Sequence, residues 1–108
     1  MAYIEAHFGD PNLDPATLAA AVGVSLRYLQ QLFRGHERNI ADQIWRRRLE
    51  IAAQRLADPG YAHLTVGTLA YGCGFSDQAH FGRRFKHRHG LPPGEYRWRS
   101  LNSMPLVG

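Results

Sequence analysis

Cysteine occurs once in the 108 residues, at Cys73, which excludes an internal disulfide framework and fits a reducing compartment. Lysine is as scarce: Lys86 stands alone among thirteen cationic side chains, the other twelve being arginine. No apolar run approaches the ~18 residues that a bilayer crossing needs, so no membrane span is expected. The N-terminus also lacks a basic stretch followed by an apolar one, so no secretory signal is expected. Strand-like alternation of apolar and polar residues is missing throughout, and the chain therefore reads as all-α. No nucleophile–base–orienter set and no phosphate-binding loop is visible, so the chain is not expected to be an enzyme or to carry a cofactor.

What is present suits one small domain. Apolar residues make up 44% of the chain, enough for a core but not for two independent globules. The net charge of +4 is unevenly spread. Residues 1–24 hold three acids and no Lys or Arg, whereas residues 25–55 hold seven arginines against three acids. The last stretch, 81–108, sets six cations against Glu95 alone. Arginine suits bidentate contact with phosphate and with guanine, although an arginine-rich face is as often plain solvated surface.

Helix signals recur along the chain. Tyr3, Ile4 and Phe8 space a first helix at roughly 2–8, broken by Gly9-Asp10-Pro11. Asp14 then precedes Pro15, a cap followed by proline at the first helical position, and Leu18, Ala19 and Val22 form one face of that helix. Gly23 stops it. Ser25 caps the next, where Leu29, Leu32 and Phe33 share a face and Arg27, Gln30, Gln31 and Arg34 project elsewhere. Asn39 caps an amphipathic helix of about 19 residues, ended by Asp58-Pro59-Gly60. Thr65 caps a short helix, Ser76 caps one running to about His89 with Phe81 and Phe85 inward, and Gly90 closes it. A last short helix from Leu91-Pro92-Pro93 through Tyr96 leaves 100–108 as a flexible tail.

Helix, tight turn and helix thus occur twice, superposable at an offset of 51: Leu18-Ala19 on Leu69-Ala70, Gly23 on Gly74, Val24 on Phe75, Ser25 on Ser76. The small alanine lets two helices cross closely, the glycine accepts a left-handed backbone, and the apolar residue after it plugs the angle. Beyond the caps the copies slip by one, Leu29 matching Phe81, which assigns the second unit one extra residue early in its second helix. Either copy alone could be an ordinary helical hairpin. Together, with Arg27, Gln30 and Gln31 exposed in one and Gln78 and Arg83 in the other, they point to reading of base edges in double-stranded DNA. The long helix between them spans ~28 Å, compatible after loop offsets with the ~34 Å between successive major grooves. The units are expected at 1–38 and 59–99, with the linker helix at 39–58 and the tail at 100–108.

The stretch Leu69-Ala70-Tyr71-Gly72-Cys73-Gly74-Phe75-Ser76-Asp77-Gln78-Ala79-His80-Phe81-Gly82-Arg83-Arg84-Phe85-Lys86, then Gly90-Leu91-Pro92-Pro93 and Tyr96-Arg97, resembles the signature of the AraC/XylS family. Ser25 to Phe33 and Arg48-Leu49-Glu50-Ile51-Ala52 resemble its first reading unit and linker helix, so the resemblance runs from about Tyr3 to Arg97. It implies about seven helices in two helix-turn-helix subdomains, and a cytoplasmic, nucleoid-associated bacterial transcription regulator, usually an activator. By position it places base reading on Leu26, Arg27, Gln30 and Gln31 and on Gln78, Ala79, Gly82 and Arg83. It places phosphate contact on Arg34, Arg84 and Lys86, with Ser25 and Ser76 at the helix starts. RNA polymerase is an implied partner, as is an effector-binding and dimerisation domain lying N-terminal to such a module. The chain departs from the family where a glycine commonly follows the first recognition helix: here Arg38 fills that slot and Gly35 lies earlier. Ala79 and Gly82 offer little side chain, so the first unit is expected to discriminate more and the second to grip phosphate more.

Other residues admit other readings. Cys73, His80, His87 and His89 would suit a metal sensor, but no close pair of cysteines accompanies them, and Cys73 fills the apolar turn slot of Val22. His87 and His89 are expected to face solvent or phosphate. Trp45 and Trp98 are expected to pack at helix junctions rather than stack on single strands. Arg46, Arg47 and Arg48 point in three directions, with Arg48 expected in a structural ion pair. A module that contacts only protein, RNA polymerase included, is the remaining alternative.

Overall fold

A computed structural model describes residues 2–32, 34 and 40–102. The helices are α1 (Ala2–His7), α2 (Pro15–Ala21), α3 (Leu26–Leu32), α4 (Ile40–Leu56), α5 (Val66–Gly72), α6 (Gln78–His89) and α7 (Pro93–Asn102), with a 3-10 turn at Pro59–Tyr61. Among the described residues there is no strand, and the all-α expectation of seven helices holds. Phe33, Gly35, Arg38 and Asn39, to which the sequence assigned a core contact, a helix exit and a cap, lie outside the described residues.

Local chemistry sets the helix starts. Asp14 and Thr17 form a reciprocal box: the Thr17 N–H donates to Asp14 Oδ1 at 2.7 Å and the Asp14 N–H to Thr17 Oγ1 at 2.8 Å. Ser25 Oγ accepts from the Tyr28 N–H at 3.1 Å, and Thr65 Oγ1 from the Thr68 N–H at 3.0 Å. The cap of α6, however, is Asp77 rather than Ser76. Its Oδ1 takes the N–H groups of Ala79 at 2.9 Å and His80 at 3.2 Å. The extra residue of the second unit therefore sits in the turn before α6, not within the helix. The last helix is also longer than expected. With no breaker after Gly94 it runs on to Asn102, past the expected start of a tail at 100, and Arg99 pairs with Glu95 one turn back at 2.9 Å.

The two turns repeat bond for bond. Val24 N–H reaches Ala19 O at 3.0 Å and Phe75 N–H reaches Ala70 O at 3.1 Å, each across a glycine of positive φ, Gly23 at 78° and Gly74 at 92°. The residues before them, Val22 and Cys73, cap α2 and α5 with nearly equal dihedrals. Burial separates them. Cys73 is fully buried, whereas Val22 is 41% exposed, and Leu32, expected inward, is 54% exposed at the end of α3. Helix α3 packs chiefly on α2, which leaves its C-terminal flank open.

Helix α4 belongs to both of the apolar clusters it joins. Its Ile40 and Ile44 pack with Ile4, Leu13, Leu18, Ala19 and Leu29. Leu49, Ile51, Ala52, Ala53 and Leu56 pack with Leu69, Ala70, Phe75, Phe81 and Phe85. The loop after α1 crosses between them, because Phe8 packs against the second cluster. Arg48 holds that loop. Only 1% exposed, it donates from Nε to Phe8 O at 2.9 Å and from Nη2 to Asp10 O at 2.7 Å and Leu13 O at 3.3 Å. The expected ion pair is thus replaced by three carbonyls, and burial lowers the pKa of the guanidinium. Arg46 and Arg47 remain at the surface, sharing Glu50, with Arg47 also 2.6 Å from Glu5.

Candidate nucleic-acid interface

Each unit presents one polar helix face opposite its buried stripe. On α3, Leu29 points inward while Arg27, Gln30 and Gln31 are exposed away from it. Leu26, one turn before Leu29, is exposed at the edge of the buried stripe, and Arg34 is exposed in the turn that follows. On α6, Phe81 and Phe85 are buried, and Gln78, Ala79, Arg83 and Lys86 are exposed. Gly82 lies on the same side with nothing within 4 Å of where a Cβ would stand, so that stretch of backbone is open to close approach. The helical period therefore gathers Arg27, Gln30 and Gln31 on α3 and Ala79, Gly82, Arg83 and Lys86 on α6 onto outward faces, whereas Arg84 turns toward α4 and Gln78 toward α5. Ser25 and Ser76 sit exposed at the two turns.

Two features of α6 were invisible in the sequence. The Gln78 side chain lies back over Gly67 of α5, where a Cβ would come within 2.8 Å of its Oε1. Arg84 is stacked over Trp45, 5.1 Å from the ring centroid, and its Nε donates to His80 Nε2 at 2.9 Å. Trp45 in turn packs on Phe75 at 5.2 Å and meets His80 edge-on at 5.2 Å, the junction role expected for it. Trp98 does not share that role, being 66% exposed on α7. The amides of His80 and Ala79 hold the Asp77 carboxyl below the usual range, so the cap stays ionised at the start of α6.

His89 and Cys73 lie within the packed part of the second unit. His87 is exposed as expected, but His89 is half-buried, its ring 4.5 Å from Phe85 and 5.6 Å from Tyr96. Burial lowers its pKa, and Nε2 has no partner. Burial raises that of the Cys73 thiol, whose sulfur lies 3.9 Å from Arg55 Nη1. Among the described residues no three His, Cys, Asp or Glu side chains are grouped to hold a metal, and no helix is long and apolar enough to cross a membrane.

The sequence profile of a helix-turn-helix domain matches residues 18–99, from the buried face of α2 into α7, and so takes in both turns. The chain belongs to the AraC/XylS family. It is 33% identical over 94 residues to the transcriptional activator NphR of Rhodococcus and 34% identical over 95 residues to the arabinose operon regulatory protein of Escherichia coli K12. Those matches cover 87% and 88% of the chain but 27% and 32% of the two relatives, so it spans between a quarter and a third of their length. An AraC-type DNA-binding regulator from Chromobacterium violaceum has the same fold, with a TM-score of 0.80 at 26% identity over 99% of this chain and 89% of that one. The C-terminal domain of the response regulator AraT from Geobacillus stearothermophilus follows at 0.79 and 26%, over 90% and 78%. This AraC/XylS domain is accordingly a module for DNA binding in transcription regulation.

Proposed function

We propose that this domain reads a double-stranded operator with α3 and α6 in successive major grooves of one duplex. The observation that carries the reading is the repeated turn, which ends α2 and α5 alike and launches two helices whose exposed faces bear Arg27, Gln30 and Gln31 on one and Gln78 and Arg83 on the other. Arginine pairs bidentately with guanine and glutamine with adenine, and Ala79 suits a thymine methyl. Arg34, Arg84 and Lys86 supply phosphate contacts, with Leu26 and Gly82 against the groove and Ser25 and Ser76 at its edge. The seventeen residues of α4 span ~25 Å, and the overall 54 Å length leaves room for two contacts about one helical turn apart.

In this reading the two units are 1–38 and 59–99 about a linker at 39–58, a division that the sharing of α4 between the two apolar clusters supports. Within a whole regulator the domain works in the bacterial cytoplasm beside the nucleoid, with an effector-binding and dimerisation domain as its covalent partner and RNA polymerase as the target of activation. The name of NphR as an activator and the greater length of the relatives support that setting. Selection of bound duplexes from random DNA tests the core of the reading. Two preferred segments about 10 base pairs apart are expected. Recovery of one segment, or none, removes the two-groove assignment.

A further inference from the structure

A groove of about 550 Å³ runs between the N-terminal half of α4 and the outer side of α6. Arg46 on α4 and Arg83, Arg84 and Arg88 on α6 line it, together with Trp45 and His87. Two acids lie near this cluster. Asp42 lines the groove, and Glu50 is shared among Arg46 at 3.2 Å, Arg88 at 3.9 Å and Arg47. The arginines thus outnumber the carboxylates, and one of them is held in place. Stacking on Trp45 and the bond from Nε to His80 fix the plane of the Arg84 guanidinium, so its two Nη groups meet a ligand with little further loss of freedom.

We propose that this groove is a phosphate-binding site that grips the sugar-phosphate backbone of the duplex between the two segments read by α3 and α6. The inference rests on the DNA reading given above and adds to it a third contact zone, on the linker. Two placements favour a duplex backbone over an acidic protein surface. Arg83 belongs both to the groove and to the outward face of α6, so whatever lies along that face runs on into the groove. The opposite wall rises from Asp42 to Arg46, interleaved with Ile40 and Ile44 of the first cluster, so the groove sits where the two units meet. A duplex bridging both reading helices would run past Arg83 and so reach the groove. Forked guanidinium groups match phosphate oxygens, and the contact is blind to sequence.

The test uses the intact domain and a duplex selected by it from random DNA. Arg46→Gln and Arg84→Gln should each weaken the selected and a scrambled duplex by similar factors, leave the selected sequence unchanged, and lower the slope of log K against log salt by about 1. Methylphosphonates at the central phosphates should weaken the wild-type domain yet leave the double variant almost unaffected. That arm changes the DNA, so it does not depend on how well a variant folds. The proposal is overturned if central methylphosphonates leave wild-type affinity intact, or weaken wild type and double variant by the same factor. A wild-type domain that enriches no sequence at all would instead overturn the DNA reading itself, and this proposal with it.

Discussion

The Arg48 guanidinium lies against the α-carbon of Gly74: a Cβ there would stand 2.6 Å from Arg48 Nε and overlap Phe8 O. Gly74 therefore has two reasons to be glycine, a φ of 92° and the close passage of the loop after α1, whereas its counterpart Gly23 has only its φ of 78°. Gly23→Ala should cost about 1–2 kcal/mol, the left-handed penalty alone. Gly74→Ala should cost about 4 kcal/mol, since backbone and a bonded guanidinium must both move. Urea unfolding of the two variants decides it, and equal losses would show that the loop yields freely.

Arg48 should be the most sensitive cation in the chain. Arg48→Met keeps apolar bulk but strands the carbonyls of Phe8, Asp10 and Leu13, a loss of about 2–4 kcal/mol. Arg48→Lys should recover little, because one ammonium cannot span acceptors met by separate nitrogens of a planar fork. A methionine variant within about 0.5 kcal/mol of wild type would mean that water satisfies the loop without Arg48.

The corrected cap gives a second contrast. Asp77→Ala should destabilise by about 1 kcal/mol through two lost amide bonds, whereas Ser76→Ala should stay within about 0.5 kcal/mol. Chemical denaturation of both variants measures the difference, and the reverse order would restore Ser76 as the cap.

Such cases mark where the sequence was legible. Gly23 and Gly74, Asp14 and Thr65 act through bonds to residues at most a few positions away, so spacing alone located their turns and caps. Ser76 and Asp77 are both competent caps, and the offset of 51 favoured the wrong one because the inserted residue lies in the turn itself. The acceptors of Arg48 lie 35 to 40 positions away, and no periodicity encodes them. Val22 and Cys73 occupy one turn position yet differ in burial, since Arg55 lies beside Cys73 and the second cluster encloses it. Trp98 and the turns of α7 beyond Tyr96 misled for a related reason. A tryptophan carries no sign of whether a partner helix faces it, and helix length past a good start depends on where breakers fall. The outward faces of α3 and α6 were legible because a period of 3.6 assigns them once the buried stripe is known.

His89 makes stability fall in mild acid. Burial lowers its folded pKa below that of the unfolded chain, so the unfolded state binds more protons as the pH drops. The contribution is complete above the unfolded value, near 6.5, and is lost as the pH falls through the folded one. Arg88 beside it also disfavours the charged ring, while Glu50 and the Leu49 backbone favour it. Glu5, Asp14 and Asp77, all held below the usual carboxylate range, act at lower pH and leave the interval between pH 5 and 7 to histidine. Unfolding free energy should therefore decline from pH 7 to 5 in wild type and less steeply in His89→Phe. Parallel profiles would remove His89 from the account.

The two reading faces should differ in what they discriminate. Arg27→Ala and Gln31→Ala each remove a long exposed side chain from α3, and each should cost about 1–3 kcal/mol on the selected duplex while relaxing preference in the first segment. In α6, Ala79 and Gly82 have little to lose, so Arg83→Ala should carry most of the effect, again about 1–3 kcal/mol. Gln78 rests over Gly67, and in the proposed reading it has to swing out to reach the duplex. Gly67→Ala pushes on the far end of that flexible side chain, so it should free Gln78 at little cost in stability and sharpen the second segment. A base-by-base scan of the operator against these variants reads each effect. Equal discrimination in the two segments by the wild-type domain would contradict the asymmetry, whatever the variants do.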